Sequence, residues 1–303
     1  MGQDCSCGIR QGQPVTDEQK PKGAPQEPFE VDRGSVLLSH TYFDQDLQEL
    51  QALPPGPPRQ QERPAYRFKS GSTYTGQWLG NERHGLGVQR WVDGAVYQGY
   101  WEHNAAHGLG RFIHTDGDVY CGEWQKNVAH GLGSYVHQTE SQATTYMGQW
   151  LHDLQHGFGV ETWEEGCSFQ GEFQAGQKNG VGVYQWPDGS WYAGTWRRNA
   201  IHGHGMYQGA DDREFRGQWK SSMIHGCGIY SWPDGRRYRG QYENDRKSGY
   251  GEFSWPDKRR YEGFWQNGKQ HGEGRYHHLD DTSLLARWDQ GKRLEWLEEE
   301  TPE

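Results

Sequence analysis

The sequence predicts an all-β protein, an elongated single-layer antiparallel meander of about 20 strands, with a mostly disordered leader before it and a short capping helix after it. Three observations carry this expectation: a Y-x-G-x-W unit recurs every 23 residues, aromatic rings stand in for an aliphatic core, and turn-forming sequences follow each short run. The unit is complete at Tyr74-Thr-Gly-Gln-Trp78, with His84-Gly-Leu-Gly87 behind it. It returns from Tyr97, Tyr120, Tyr146, Phe169, Tyr192, Phe215, Tyr238 and Tyr261, and a decayed tenth copy, Leu284-Leu-Ala-Arg-Trp288, stays in register. One step, from Tyr120 to Tyr146, spans 26 residues. A fixed period of this length marks a repeat array, in which each unit buries its faces against its neighbours.

Within a unit, ring-bearing residues alternate with polar ones such as Thr75 and Gln77, the period-2 pattern of a half-buried strand. The link Leu79-Gly-Asn-Glu-Arg83 carries turn formers, as do Asn104, Asn127, Asn199 and Asn267-Gly268 in later copies. The second run, His-Gly-x-Gly, ends at Val92-Asp-Gly94, Thr115-Asp-Gly117, Pro187-Asp-Gly189 or Pro233-Asp-Gly235, which read as tight turns. Short connections force neighbouring strands to be antiparallel and adjacent. The candidate packing residues are Tyr74, Gly76 and Trp78; Tyr97, Gly99 and Trp101; Tyr120, Gly122 and Trp124; Tyr146, Gly148 and Trp150; Tyr192, Gly194 and Trp196; and Tyr261, Gly263 and Trp265. A glycine between two rings leaves room for a ring from the next strand to lie over its backbone. The pairs Gly85/Gly87 through Gly272/Gly274 are expected to receive those rings.

Of the 42 aromatic residues, 38 lie between Tyr66 and Trp288, so a core of Tyr and Trp overrides the disorder that a mean hydropathy of −1.11 would suggest. Net charge is −10, but residues 66–293 carry 25 basic against 26 acidic side chains, and the acidity sits in the tails. No concentrated basic face is present, which argues against nucleic acid as a partner. Cys5, Cys7, Cys121, Cys167 and Cys227 form no C-x-x-C pair, arguing against a disulfide framework and a zinc site and for a reducing compartment. No stretch is long and apolar enough for a transmembrane helix or a secretory signal, so any meeting with a membrane is expected from its cytoplasmic side.

Met1-Gly-Gln-Asp-Cys-Ser6 fits the myristoylation pattern, with Gly2 as acceptor. One such chain holds only marginally, at a partition constant of about 10⁴ M⁻¹, so a second signal is needed. Cys5 and Cys7 lie beside Gly2 as palmitoylation sites, and dual acylation is the economical reading; a chance match in a linker is the competing one. Residues 1–63 are expected to be a disordered leader, broken by Pro14, Pro21, Pro25, Pro28 and Pro54-Pro-Gly-Pro-Pro58. One short helix is expected near residues 41–52. Val36, His40, Phe43, Leu47 and Leu50 fall at helical spacing, and Thr41-x-x-Asp44 offers a capping box. Such a helix would dock a partner or the groove of its own array, against the alternative of a fluctuating linker.

Repeats of 23 residues built from Y-x-G-x-W and (H/N)-G-x-G with P-D-G turns resemble the membrane occupation and recognition nexus (MORN) repeat family. The resemblance covers residues 66–293 and implies a single-layer sheet curved into a gutter. It further implies a scaffold at membranes or cytoskeletal structures that grips a helical or extended protein segment, and pairing of two copies through their sheets. Phosphoinositide binding comes with the same resemblance, but the near-neutral array lacks the basic lip it would need. The array is set at 64–293, nine full repeats and the degenerate tenth, and 294–303 is set as an acidic cap. The added residues within 137–145 read as a surface loop.

His84, His107, His130, His156, His202, His225 and His271 recur at the repeat position, with Asn179 and Ser248 replacing it in two copies, and those one repeat apart would sit about 9.6 Å from each other if strands stack in register, too far to share a zinc ion. They are expected to support turns and rings. No nucleophile stands in a recognisable catalytic motif and no phosphate loop occurs, so no catalytic residue, metal or cofactor is assigned. The expectation is a non-enzymatic scaffold, held by acyl chains on a cytoplasmic membrane face or cell cortex, whose aromatic sheet recruits a protein partner. The alternative is a structural component of a cytoskeletal or ciliary assembly.

Overall fold

Each 23-residue unit supplies two strands of unequal length and two tight turns. The computed structural model describes residues 39–138, 143–280 and 282–297. The proposed acylation sites Gly2, Cys5 and Cys7 lie outside the described residues. The fold is an all-β, single-layer antiparallel meander with 22 strands among the described residues. The chain divides into two units, residues 25–200 and, within its described part, Ile201 onward.

The first unit opens with two short helices, α1 (Ser39–Asp44) and α2 (Leu47–Gln51). Thirteen strands follow: β1 (Gln60–Glu62), β2 (Tyr66–Arg67), β3 (Thr73–Leu79), β4 (Glu82–Arg90), β5 (Val96–Glu102), β6 (Ala105–Ile113), β7 (Val119–Gln125), β8 (Val128–Gln138), β9 (Ala143–Leu151), β10 (Leu154–Trp163), β11 (Ser168–Gln174), β12 (Gln177–Gln185) and β13 (Trp191–Arg197). From β3 to β12 each pairs antiparallel with the next. β1 and β2 pair in turn with the free edge of β3, as Gln61 opposite Trp78 and Tyr66 opposite Tyr74. The second unit takes all but the first residue of β14 (Ala200–Gln208), then β15 (Glu214–Lys220), β16 (Met223–Ser231), β17 (Arg237–Glu243), β18 (Arg246–Ser254), β19 (Arg260–Gln266), β20 (Lys269–His277), β21 (Ser283–Asp289) and β22 (Lys292–Leu297), paired in the same way.

The hairpin turn is tighter than the expected five-residue link. Only two residues separate β5 from β6, His103 and Asn104, with φ of 48° and 72°. Two left-handed residues make the turn whose twist matches the flanking strands. Its second residue also reaches the preceding repeat: Asn104 Oδ1 accepts the Arg83 N–H at 2.8 Å, and the Asn104 N–H donates to the Arg83 carbonyl at 3.0 Å. Asn127, Asp153, Asn199 and Asp245 repeat this exchange with Ala106, Ala129, Lys178 and Ile224. The other turn is closed by aspartate. Asp93 Oδ1 accepts the Ala95 N–H at 3.1 Å, and Asp116, Asp188, Asp211, Asp234, Asp257 and Asp280 each accept the N–H two residues on.

The His-Gly-x-Gly run is a bulge. Gly76 opposes Gly87, but Trp78 opposes Arg83, so His84, Gly85 and Leu86 face Gln77 alone. Gly85 has φ of 81°, which a side chain would strain. The looped-out Leu86 N–H is satisfied by Gln77 Oε1 at 2.9 Å. Glu123, Gln149, Glu172, Gln218 and Gln241 make the same bond in their own repeats.

Three expectations need correction. The capping helix from Leu294 is a strand through Leu297: β22 continues the meander by bonding to the edge of β21. The helix expected near 41–52 is present as two short pieces, α1 and α2, but the residues after it are not irregular throughout, since β1 pairs with β3, and Thr41 lies inside α1, so it is not an N-cap. The added residues after β7 lengthen β8 to Gln138, paired with Ala143, and only 139–142 fall outside the described residues.

Candidate docking site on the ring face

The site is built from rings that alternate along the repeats. Tyr97 stands edge-on to Trp101 of its own strand at 5.0 Å between centroids, and to Trp124 of the next repeat at 5.3 Å. The same two contacts link Tyr74 to Trp78 and Trp101, Tyr120 to Trp124 and Trp150, and Tyr146 to Trp150 and Phe173. Phe169 meets Phe173 and Trp196, and Tyr192 meets Trp196. In the second unit Tyr238 meets Tyr242 and Trp265, and Tyr261 meets Trp265 and Trp288. Polar atoms are placed equally regularly. Tyr97 Oη donates to the Tyr100 carbonyl at 2.9 Å, and Trp124 Nε1 to the Gly110 carbonyl at 3.1 Å.

Glycine sets how closely the rings seat. A Cβ on Gly110 would lie 2.6 Å from Cζ of Tyr97, and one on Gly99 would lie 2.5 Å from Cα of Gly110. Gly122, Gly148 and Gly263 face Gly133, Gly159 and Gly274 as Gly99 faces Gly110, and Gly182 faces both Gly171 and Gly194. Only the second glycine of each His-Gly-x-Gly lies under a buried ring. The first sits in the bulge, away from the buried Tyr or Phe that covers the second, which corrects the expectation that both receive it.

Opposite each Trp position, on the same face, stands one residue per repeat: Arg83 opposes Trp78, Ala106 opposes Trp101, Ala129 opposes Trp124, and Gln155 opposes Trp150. The column continues as Lys178, Ile224, Lys247 and Gln270. The lysines of this column fill cages between successive rings. Lys247 Nζ lies 5.3 Å from the centroid of Trp232, 5.5 Å from Tyr238, 5.2 Å from Phe253 and 5.3 Å from Trp265. Lys178 Nζ lies 4.6 Å from Trp163 and bonds Glu161 at 2.6 Å. A cation over aromatic faces recovers part of its lost hydration. Alanine at 106 and 129 cannot reach so far.

The cage over Ala106 is filled by Phe43 of α1. Its ring lies 5.6 Å from Trp91, 5.2 Å from Tyr97, 6.0 Å from Phe112 and 5.5 Å from Trp124, the four positions that surround Lys247 six repeats later. Phe43 is 0 % exposed. Tyr42, beside it, packs on Trp91, Phe112 and His114. Its Oη donates to Asp93 Oδ2 at 2.7 Å, and Trp91 Nε1 donates to its carbonyl at 3.0 Å. Burial and the Asp93 carboxylate push the Tyr42 phenol up to about 12.

A buried polar network completes the dock. Arg83, 0 % exposed, lies 4.3 Å from the Trp101 ring centroid and donates to the carbonyls of Phe43 at 3.2 Å and Asn104 at 3.0 Å. Burial lowers its pKa to about 10, with partial compensation from Asp46 and Asp44, and it stays protonated at neutral pH. Gln89 receives Arg83 Nη1 at 3.3 Å and passes its own amide hydrogens to Asp46 Oδ2 and Ser72 Oγ, both at 3.3 Å; Ser72 Oγ also donates to Asp46. Glu49 then accepts from Tyr66 Oη at 2.9 Å and the Lys69 N–H at 2.8 Å. The segment therefore crosses the repeats against chain order, from Phe112 and Trp124 back to Tyr66. Tyr42 and Asp46 were missing from the helical-spacing set; the readable signal was the pair Ala106 and Ala129, where the other column positions named above carry larger residues.

Among the described residues no cluster of three or more His, Cys, Asp or Glu side chains is placed to hold a metal ion. The repeat histidines sit in the bulges, as His84 does 5.1 Å from the His103 ring. No helix among them is long and apolar enough to cross a membrane.

Comparison with solved structures finds the TCP domain of Drosophila melanogaster SAS-4 in complex with a proline-rich motif of Ana2, at 10% identity over 60% of this chain and 85% of that one, with a TM-score of 0.26. A mutant of the TCP10 domain of Danio rerio CPAP follows at 9% identity, 78% and 100% coverage and a TM-score of 0.23. Virginiamycin B lyase from Staphylococcus aureus gives 8%, 74% and 97%, and 0.18. Scores below 0.5 carry no inference about function. No curated protein matches the chain. The MORN repeat profile, a non-catalytic repeat unit, matches residues 74–96, 97–119, 120–141, 146–168, 169–191, 192–212, 215–236, 238–258 and 261–280. With nine copies spanning more than half its length, the chain belongs to the MORN repeat family.

Proposed function

We propose that this protein is a non-enzymatic, membrane-tethered scaffold whose aromatic ring face recruits a protein segment at a cytoplasmic membrane face or cell cortex. The observation that carries the recruiting half is the seating of Phe43 and Tyr42. It displays the chemistry of a ligand that the ring face holds, a short helix with aromatic side chains. The tethering half rests on Gly2 within the myristoylation pattern, with Cys5 and Cys7 as the second signal. Two copies pairing through their sheets would double the tether. A phosphoinositide headgroup is disfavoured, because Arg83, Lys178 and Lys247 are already committed to the cages.

Metabolic labelling with a clickable myristate, followed by membrane flotation, tests the tether. The full chain is expected to be labelled and to float, and Gly2→Ala is expected to stay folded and soluble. Unlabelled protein that resists detergent extraction would favour the second reading, a structural component of a cytoskeletal or ciliary assembly.

A further inference from the structure

We infer that the cage over Ala106 is a recognition site for a short helix with two adjacent aromatic residues and a carboxylate three positions on. Tyr42-Phe43-x-x-Asp46 holds that site in cis until a partner segment of the same pattern displaces it. This rests on the ring face being a docking surface, and adds what it reads and how it is regulated.

In two other repeats the array supplies its own plug. Lys247 fills the equivalent cage of its repeat from within the strand, and Lys178 does so with the help of Glu161. At Ala106 the strand supplies no plug, and the filler comes from outside the ladder. That filler is separable, since no strand pairing involves residues 39–51 and the first paired strand is β1 at Gln60. α1 and α2 have six and five residues, too short to persist alone, so their order derives from docking.

The contacts define the pattern. Phe43 fills the ring cage; Tyr42 adds a phenol to Asp93; Asp46 takes hydrogen bonds from Ser72 and Gln89; and Arg83 and Trp91 read two helix carbonyls. The buried Arg83 guanidinium favours a segment that brings a carboxylate, so the partner is an acidic-aromatic helix. A cis segment on a short tether acts at an effective concentration in the millimolar range, so it masks the site from weak ligands and yields to a tight or multivalent one.

The test is a fluorescent peptide of residues 37–53 titrated into the full-length chain and read by anisotropy. The Phe43→Ala chain is expected to bind it at least about tenfold more tightly than wild type, by removal of that cis competition. Adding Ala106→Lys, a residue the same column already carries at 178 and 247, is expected to abolish binding while circular dichroism stays unchanged. A peptide with Phe43→Ala should not bind. The inference is overturned if Phe43→Ala binds no better than wild type, or if Ala106→Lys leaves binding intact. Should Phe43→Ala fail to fold, wild-type chain with excess peptide is read by hydrogen exchange. Loss of protection at 39–51 supports displacement, and unchanged protection refutes it. Myristate labelling is scored separately, so failure here leaves the tether standing and failure there leaves the cage standing.

Discussion

Truncating Phe43 isolates the docking interaction from the stability of the ladder. Phe43 is fully buried and stands edge-on to Trp91, Tyr97, Trp101 and Trp124. Removing a buried Phe costs about 3–5 kcal/mol. Because residues 39–51 contribute no strand pairing, that loss falls on the equilibrium between docked and released helix and not on global unfolding. At about 1.4 kcal/mol per tenfold, even the lower figure is a rise of roughly 100-fold in the opening constant. Arg83 would lose the Phe43 carbonyl and much of its cover, and its depressed pKa would move back up.

Native-state hydrogen exchange read by mass spectrometry resolves the two possibilities. Amides of 39–51 should exchange roughly 100-fold faster in Phe43→Ala, those of β4 near Arg83 modestly faster, and those of β12 at the wild-type rate. A uniform acceleration across β3 to β13 would mean that the ladder depends on the helix. No change at 39–51 would mean that the cage contributes nothing to docking. Either result defeats the reasoning.

Other consequences follow from the repeat chemistry. Gly110→Ala drives a methyl group into Tyr97 and should cost about 1–3 kcal/mol, seen as a lower midpoint in urea, whereas Gly117→Ala, in an open turn, should show only the strain of its positive φ. Gln241→Ala leaves the looped-out Tyr250 N–H without its acceptor and should cost about 1 kcal/mol. The Asp188 carboxyl is held below the usual range, first by the Ser190 hydroxyl and then by backbone N–H groups, and that of Asp280 by Thr282 in the same order. A depressed folded pKa gives stability that is complete above the ordinary carboxylate value, about 3.9, and is lost as pH falls through the lower folded value. Thermal midpoints should therefore be flat above about pH 5 and fall below about pH 4, and Asp188→Asn, which keeps the acceptor oxygen, should remove its share of that fall.

The ladder was legible because it is local and repeated. Tyr97, Gly99 and Trp101 alternate on one strand, and Asp116-Gly117 turns the chain; both patterns need only near neighbours. The hairpin turn was read too long because Leu79 and Glu82 look like loop residues until the pairing of β3 with β4 claims them. At the C-terminal end, the Leu- and Glu-rich run at Leu294 has helical propensity. The open edge of β21 offers it a full set of backbone partners, and tertiary pairing overrides propensity there. The dock was half legible. Phe43 sits at helical spacing with Leu47 and Leu50, but Tyr42 and Asp46 are held by partners distant in sequence, Asp93, Ser72 and Gln89, which local spacing does not reveal.

Ala106 and Lys247 together separate what the repeat standardises from what it encodes. The Tyr, Trp and Gly positions vary little between copies because each ring must clear the same backbone and meet the same two neighbours, so they fix spacing. The column from Arg83 to Gln270 faces the same cages but is not bound to one shape, since a cage can be filled by an ammonium, an amide, an aliphatic group or an outside ring. Lysine there closes a repeat with its own side chain. Alanine opens one, and with Arg83 one repeat earlier it supplies both an aromatic pocket and a buried guanidinium for the carbonyl and carboxylate of an incoming helix. Specificity in such a sheet is therefore written by this position and its neighbour one repeat earlier, and moving the Arg83–Ala106 pair along that column should move the docking site with it.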